Sequence, residues 1–208
     1  MAAEAVGGPV MRPFPWVTAA VLSLALGAYL EPALGELLIL DRARVASGEA
    51  WRVLTGSLVH FSASHLAVDA LAFGVAGAML ERRGRARFAT LTLASALAVG
   101  LAVLWLQPSL QRYAGLSGMA YAAIVALALV GLREPGPMPT LSGLALAACV
   151  AKLAWELSTG RMLLAGAPPG VVAVPLAHLA GAIAAVAVTG AGGRLGAARP
   201  VAGRPAAR

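Results

Sequence analysis

The chain has 208 residues, 60% of them hydrophobic and only 12% charged, with a formal charge of +7 and a mean hydropathy of +0.82. Soluble domains carry roughly 45–50% apolar and about 25% charged residues, so an ordinary soluble globular domain is excluded. The arginines lie between and beyond the apolar runs, and no basic stripe is interleaved with aromatics, which speaks against a nucleic-acid partner and for membrane topology.

A helix needs about 20 apolar residues to cross a bilayer, and six such runs fit the chain with short connections. Residues 1–15 form a short proline-containing segment. Trp16 to Leu30 is the first run, continuing weakly to Leu40 through Pro32. A signal peptide is the rival reading; Glu4, the weak n-region and the lack of a clear small-x-small site argue against it. Glu31 to Arg52 is too polar to span and too apolar for a plain loop, so an interfacial segment is expected, with Trp51 as an anchor.

The second span runs from about Val53 to Leu80 and carries His60, His65 and Asp69. The third covers about Phe88 to Leu106. The fourth opens near Gly115 and ends at Leu132, where Gly131 and Pro135-Gly136-Pro137 stop it. The fifth, about Thr140 to Leu157, holds Lys152 and Glu156. The sixth, about Val171 to Thr189, holds His178. The expected fold is an all-α membrane protein, a six-transmembrane-helix bundle over residues 16–190, followed by a disordered basic tail over 191–208. Cys149 is the only cysteine and can form no disulfide within the chain.

Orientation follows from the arginines. With both termini in the cytoplasm, the inner segments hold ten of them, including Arg82, Arg83, Arg85 and Arg87, and the outer segments five. In that orientation Ser117 lies in the first turn of the fourth helix. His60, His65 and His178, the only histidines, share its depth near the outer face. Ionisable groups inside a membrane usually face a cavity or one another. A serine needs a base for its proton and donors for the oxyanion that follows, and His178 is the candidate base. Ser117 and Tyr121 stand four apart on one helix face, as do His65 and Asp69. Gly181, Ala182 and Ala185 give the sixth helix a small-residue surface suited to close approach beside Gly118.

Each signal has a structural reading too. A glycine-flanked serine at a helix start is most often packing, and a membrane histidine is most often an interhelical hydrogen bond. His60 is the histidine best suited to a structural role. Lys152 and Glu156, four apart, read as a buried ionic strut. Depth is what joins the serine and the histidines into one constellation. No cofactor or metal is expected.

Three stretches together resemble the rhomboid family of intramembrane serine proteases. They are Trp51-Arg52 with His60-Phe61-Ser62-x-x-His65-x-x-x-Asp69, then Gly115-Leu116-Ser117-Gly118 with Tyr121, then Ala177-His178-Leu179-Ala180-Gly181. The resemblance implies a nucleophile at Ser117 and a base at His178, a dyad without a third carboxylate. It implies that Tyr121 stacks on the base, and that His65 and the Ser117 N–H serve the oxyanion, with Gly115 beside them. Asp69 departs from the family's usual asparagine. It can repel an oxyanion, stay protonated and donate, or orient His65. Ala185 replaces a frequent second glycine.

Within the family, Leu40-Asp41-Arg42, Gly48-Glu49-x-Trp51-Arg52 and Lys152-Leu153-x-x-Glu156 resemble the rhombosortase branch, bacterial inner-membrane rhomboids associated with exported proteins that end in a Gly-Gly sorting tail. That resemblance implies substrates with a C-terminal membrane anchor, met within the lipid bilayer at a periplasm-facing site. An inactive rhomboid-like binder of membrane helices and a small transporter stay open as alternatives.

Overall fold

The structure is a computed structural model and describes residues 13–163 and 171–191. The sequence-based expectations for the first twelve residues and for the tail beyond 191 lie outside the described residues.

Helix α1 spans Trp16–Leu30, and α2, Pro32–Leu38, leaves it at a bend of 116°. Proline at the first helical position cannot continue the preceding hydrogen-bond ladder but suits a fresh start. The Glu31 carboxylate accepts the Ala33 N–H at that new start. The start of α1 is capped from a distance. Glu81, almost wholly buried, accepts the N–H groups of Val17 and Thr18, each at 2.9 Å, and the Thr18 hydroxyl at 3.0 Å. A carboxylate at a helix N-terminus meets both the orphan donors and the positive end of the dipole.

The segment after α2 is irregular and hydrogen-bonded throughout. It contains strand β1 (Leu40–Asp41), helix α3 (Arg42–Ala46), helix α4 (Arg52–Thr55) and a 3-10 turn over Gly56–Leu58. Two arginines hold it. Arg42 donates to the carbonyls of Val103, Leu104, Gln107 and Leu110, closing the end of the helix that stops at Leu106. Arg52 is fully buried and donates to Glu49 and to the carbonyls of Glu36 and Ile39. Trp51 is partly exposed and donates to the Leu37 carbonyl.

Helix α5 is Ala63–Arg83, α6 is Arg85–Leu106, α7 is Ser117–Gly131, α8 is Met138–Thr159 and α9 is Pro175–Ala191. The second run expected from Val53 is therefore broken: after the short α4 and the 3-10 turn, the long helix begins only at Ala63. Ser62 caps it by accepting the His65 N–H, and His60 stands in the approach to the helix rather than within it. The serine side chain takes a first-turn N–H that has no intrahelical partner, which favours a helix start directly after it.

Helix α7 is the centre. Most of its side chains are buried, and α5, α6, α8 and α9 all pack on it. Its closest neighbour is α9. A Cβ added to Gly181 would stand 1.9 Å from the Gly118 carbonyl oxygen, so the two backbones touch where both residues are glycine. Strand β2 (Arg112–Tyr113) precedes α7 and pairs antiparallel with β1, Leu40 opposite Tyr113 and Asp41 opposite Arg112. This short ladder ties the irregular segment to the approach to Ser117.

The outside of the bundle is apolar: Leu71, Leu93, Trp105, Leu144, Val150 and Ile183 are all exposed. An apolar exterior around a core that buries polar groups suits lipid as the solvent. Among the described residues, α5, α6 and α8 are long and apolar enough to cross a membrane, and α1 with α2 passes as a bent pair. Helices α7 and α9 are apolar but shorter, about 22 and 25 Å at 1.5 Å per residue. The chain is a multi-pass helical membrane protein.

Candidate active site

Ser117 is the first residue of α7, and its approach is built with care. Gly115 has φ 141°, a region that favours glycine, and a Cβ there would press on the His65 ring at 3.1 Å. The buried Tyr113 hydroxyl donates to the Gly115 carbonyl at 3.0 Å. Burial, and after it the Asp69 carboxylate, pushes the Tyr113 phenol above its ordinary range, so it stays a neutral donor. The Leu116 N–H donates to His60 Nε2 at 3.2 Å. The turn that presents Ser117 is thus held from both sides.

His178 is on α9 and nearly buried. Its Nε2 lies 2.9 Å from Ser117 Oγ. The Tyr121 ring stacks on the imidazole with centroids 4.4 Å apart and an interplanar angle of 11°. The Tyr121 hydroxyl donates to the Cys149 carbonyl on α8 at 3.1 Å. Stacking fixes the plane of the imidazole and leaves its two nitrogens free to meet partners at the ring edge.

The opposite nitrogen has a partner that the sequence reading did not supply. His178 Nδ1 lies 2.7 Å from Glu156 Oε2, and the other oxygen, Oε1, lies 2.5 Å from Lys152 Nζ. The Lys152–Glu156 strut is present, but it does not stand alone. The Nδ1–Oε2 contact is an ion-pair distance that falls short of an aligned hydrogen bond. A third carboxylate therefore stands beside the base, where the resemblance implied none. The i, i+4 spacing reveals the strut; which way α8 turns that strut depends on tertiary packing, which no local pattern records.

On the other side of Ser117, Asp69 Oδ2 lies 3.2 Å from His65 Nε2 and 3.3 Å from His60 Nε2. The two rings meet edge to face at 5.1 Å. His60 thus joins the cluster through Asp69 and Leu116, a role that its sequence position outside regular helix does not signal. His65, Asp69, Ser117, Lys152, Glu156 and His178 all line one cavity of about 440 Å³, to which Phe61 and Val172 also contribute. Ser117, His178, Tyr121, His65, Asp69 and Gly115 are brought together.

A bundle of apolar-faced helices around a hydroxyl–imidazole pair at a cavity defines a multi-pass membrane protein with a serine–histidine site inside the bundle. The comparisons say which. The Rhomboid domain family matches residues 47–194, most of the chain, and the chain belongs to the rhomboid family. Rhomboid protease GluP of Bacillus subtilis (strain 168) is 33% identical over 95 residues. That match covers 45% of this chain and 18% of the relative, so the chain spans less than a fifth of that relative's length.

Proposed function

We propose that the protein is an intramembrane serine endopeptidase in which Ser117 is the nucleophile and His178 the general base. The observation that carries this reading is the 2.9 Å contact between Ser117 Oγ and His178 Nε2 in a cavity lined by further polar groups. Family membership and the similarity to a rhomboid protease support it.

In the reaction, Oγ attacks the scissile carbonyl carbon as its proton passes to His178 Nε2. The carbonyl π pair moves onto oxygen. Collapse breaks the C–N bond, and the departing amine takes the proton from His178. Water then attacks the acyl-enzyme with the same base and frees Ser117. The Ser117 N–H, an orphan donor in the first turn of α7, and His65 are the proposed oxyanion donors. Each such donor contributes about 10²–10³ in rate in soluble serine proteases. Asp69 lies between two imidazoles, which supports a role in orienting His65.

The proposed topology has six crossings, α1 and α5 to α9, with both termini in the cytoplasm of a bacterial inner membrane and the cavity facing the periplasm. The short α7 supports a serine set below the outer surface, since about 22 Å of helix cannot reach both faces of a roughly 30 Å core. The proposed substrates are exported proteins with a C-terminal membrane anchor, Gly-Gly sorting tails of the rhombosortase kind among them. Glycines in such a segment weaken its helix and expose carbonyls to attack.

The test has two arms. A fluorophosphonate probe should label Ser117 in the parent chain and fail on Ser117→Ala. Co-expression with exported proteins bearing glycine-rich tails should give cleavage that Ser117→Ala abolishes while the chain stays membrane-inserted. Processing at the parental rate by Ser117→Ala would refute the assignment.

A further inference from the structure

Glu156 is unusual for its helix. Helix α8 exposes most of its surface, and Ser142 and Glu156 are its only buried residues. In lipid an apolar side chain facing outward costs nothing, whereas a carboxylate must find partners. Glu156 is 2% exposed and is directed to the far edge of the candidate base.

The imidazole is constrained on three sides. Tyr121 covers one face, Ser117 Oγ meets Nε2, and Glu156 Oε2 meets Nδ1. Stacking leaves the ring free to turn in its own plane. A contact at Nδ1 removes that freedom. It also favours one tautomer: with the proton on Nδ1 facing a carboxylate, the lone pair of Nε2 faces the serine. Lys152, at the other carboxylate oxygen, gives Glu156 a counter-charge and holds its rotamer. The contact is not yet aligned as a hydrogen bond, which is common in sites without substrate.

We propose that Glu156 is a positioning residue for His178, so that the site works as a Ser117–His178–Glu156 relay with Lys152 as the counter-charge of the carboxylate. Glu156 takes no proton. It holds the imidazole in the tautomer that accepts the Ser117 proton, and it faces the imidazolium that forms. This role rests on the protease reading above.

The experiment uses the full chain in micelles and a fluorophosphonate probe. In the labelling step, Oγ bonds to phosphorus, fluoride leaves and the serine proton passes to His178. The inactivation rate constant at saturating probe is measured apart from the reversible affinity, alongside the melting temperature. Glu156→Gln should lower the rate constant at least about tenfold and leave the affinity unchanged, in the direction of the loss seen when a soluble triad loses its carboxylate. The double variant Lys152→Met with Glu156→Gln should show the same loss without leaving a buried cation unpaired. Glu156→Asp should recover part of the rate.

A rate constant equal to the parent's in folded Glu156→Gln and double variants overturns the role of Glu156 and leaves the protease reading intact. A parent chain that does not label at Ser117 overturns both. A second readout needs no variant: ¹⁵N spectra of the parent chain, with the ring neutral, should place the His178 proton on Nδ1. A proton on Nε2 overturns the proposal.

Discussion

Asp69 shows how much a single side chain depends on its company. Alone, a carboxylate near a developing oxyanion is a liability. Here its oxygen lies at nearly equal distances from two imidazoles, His65 at 3.2 Å and His60 at 3.3 Å. His60 in turn accepts from the Leu116 N–H, one residue before the serine. Asp69→Asn keeps a carbonyl acceptor for His65 Nε2, so probe labelling should fall only modestly, about fivefold, for roughly 1 kcal/mol of weakened hydrogen bonding. Asp69→Leu leaves His65 Nε2 without that acceptor and should cost about 10–100-fold, at 1–3 kcal/mol for an unpaired buried group. Labelling rates of the two variants side by side decide the matter, and equal rates would show that Asp69 does not orient His65.

At the scale of elements, the site depends on α7 and α9 lying closer than ordinary side chains permit. Gly181→Ala would place a methyl 1.9 Å from the Gly118 carbonyl oxygen, against backbone that cannot rotate away. The helices must separate, and overpacking of this kind costs about 1–3 kcal/mol. The expected outcome is a lower melting temperature together with slower labelling of Ser117, because His178 rides on the displaced helix. A variant as stable and as reactive as the parent would contradict the close approach. The glycine–alanine surface of the sixth run makes this contact legible from sequence, and common depth makes the Ser117–His178 pairing so. The start of α5 is less legible: hydropathy runs on through Val53–Val59, and only the capping by Ser62 shows that the helix waits until Ala63. The β1–β2 pairing and the Glu156–His178 contact are less legible again, since they depend on residues 71 and 73 positions apart in the first case and 22 in the second, which share no local pattern.

For the whole molecule, the proposed orientation rests on the arginine distribution. Gly84 lies between α5 and α6 amid the densest basic cluster, and Ser109 lies in the connection between α6 and α7, beside the cavity. In a Cys149→Ala background expressed in a bacterial inner membrane, an impermeant maleimide applied to the periplasmic face should label Ser109→Cys and spare Gly84→Cys. The reverse pattern would invert the proposed topology and put the cavity on the cytoplasmic face.

The sparse packing of α8 has a consequence for how the protein meets anything that arrives from the side. A rod surrounded by acyl chains loses almost no cohesion when it drifts from its neighbours, since lipid fills the gap as readily as leucine does. What moors this one near the cavity is a handful of polar tethers: the Tyr121 hydroxyl on the Cys149 carbonyl, and the Lys152–Glu156 pair on His178. The same few atoms that steady the ring also berth the helix, so a guest that wedges the rod outward loosens the ring with it.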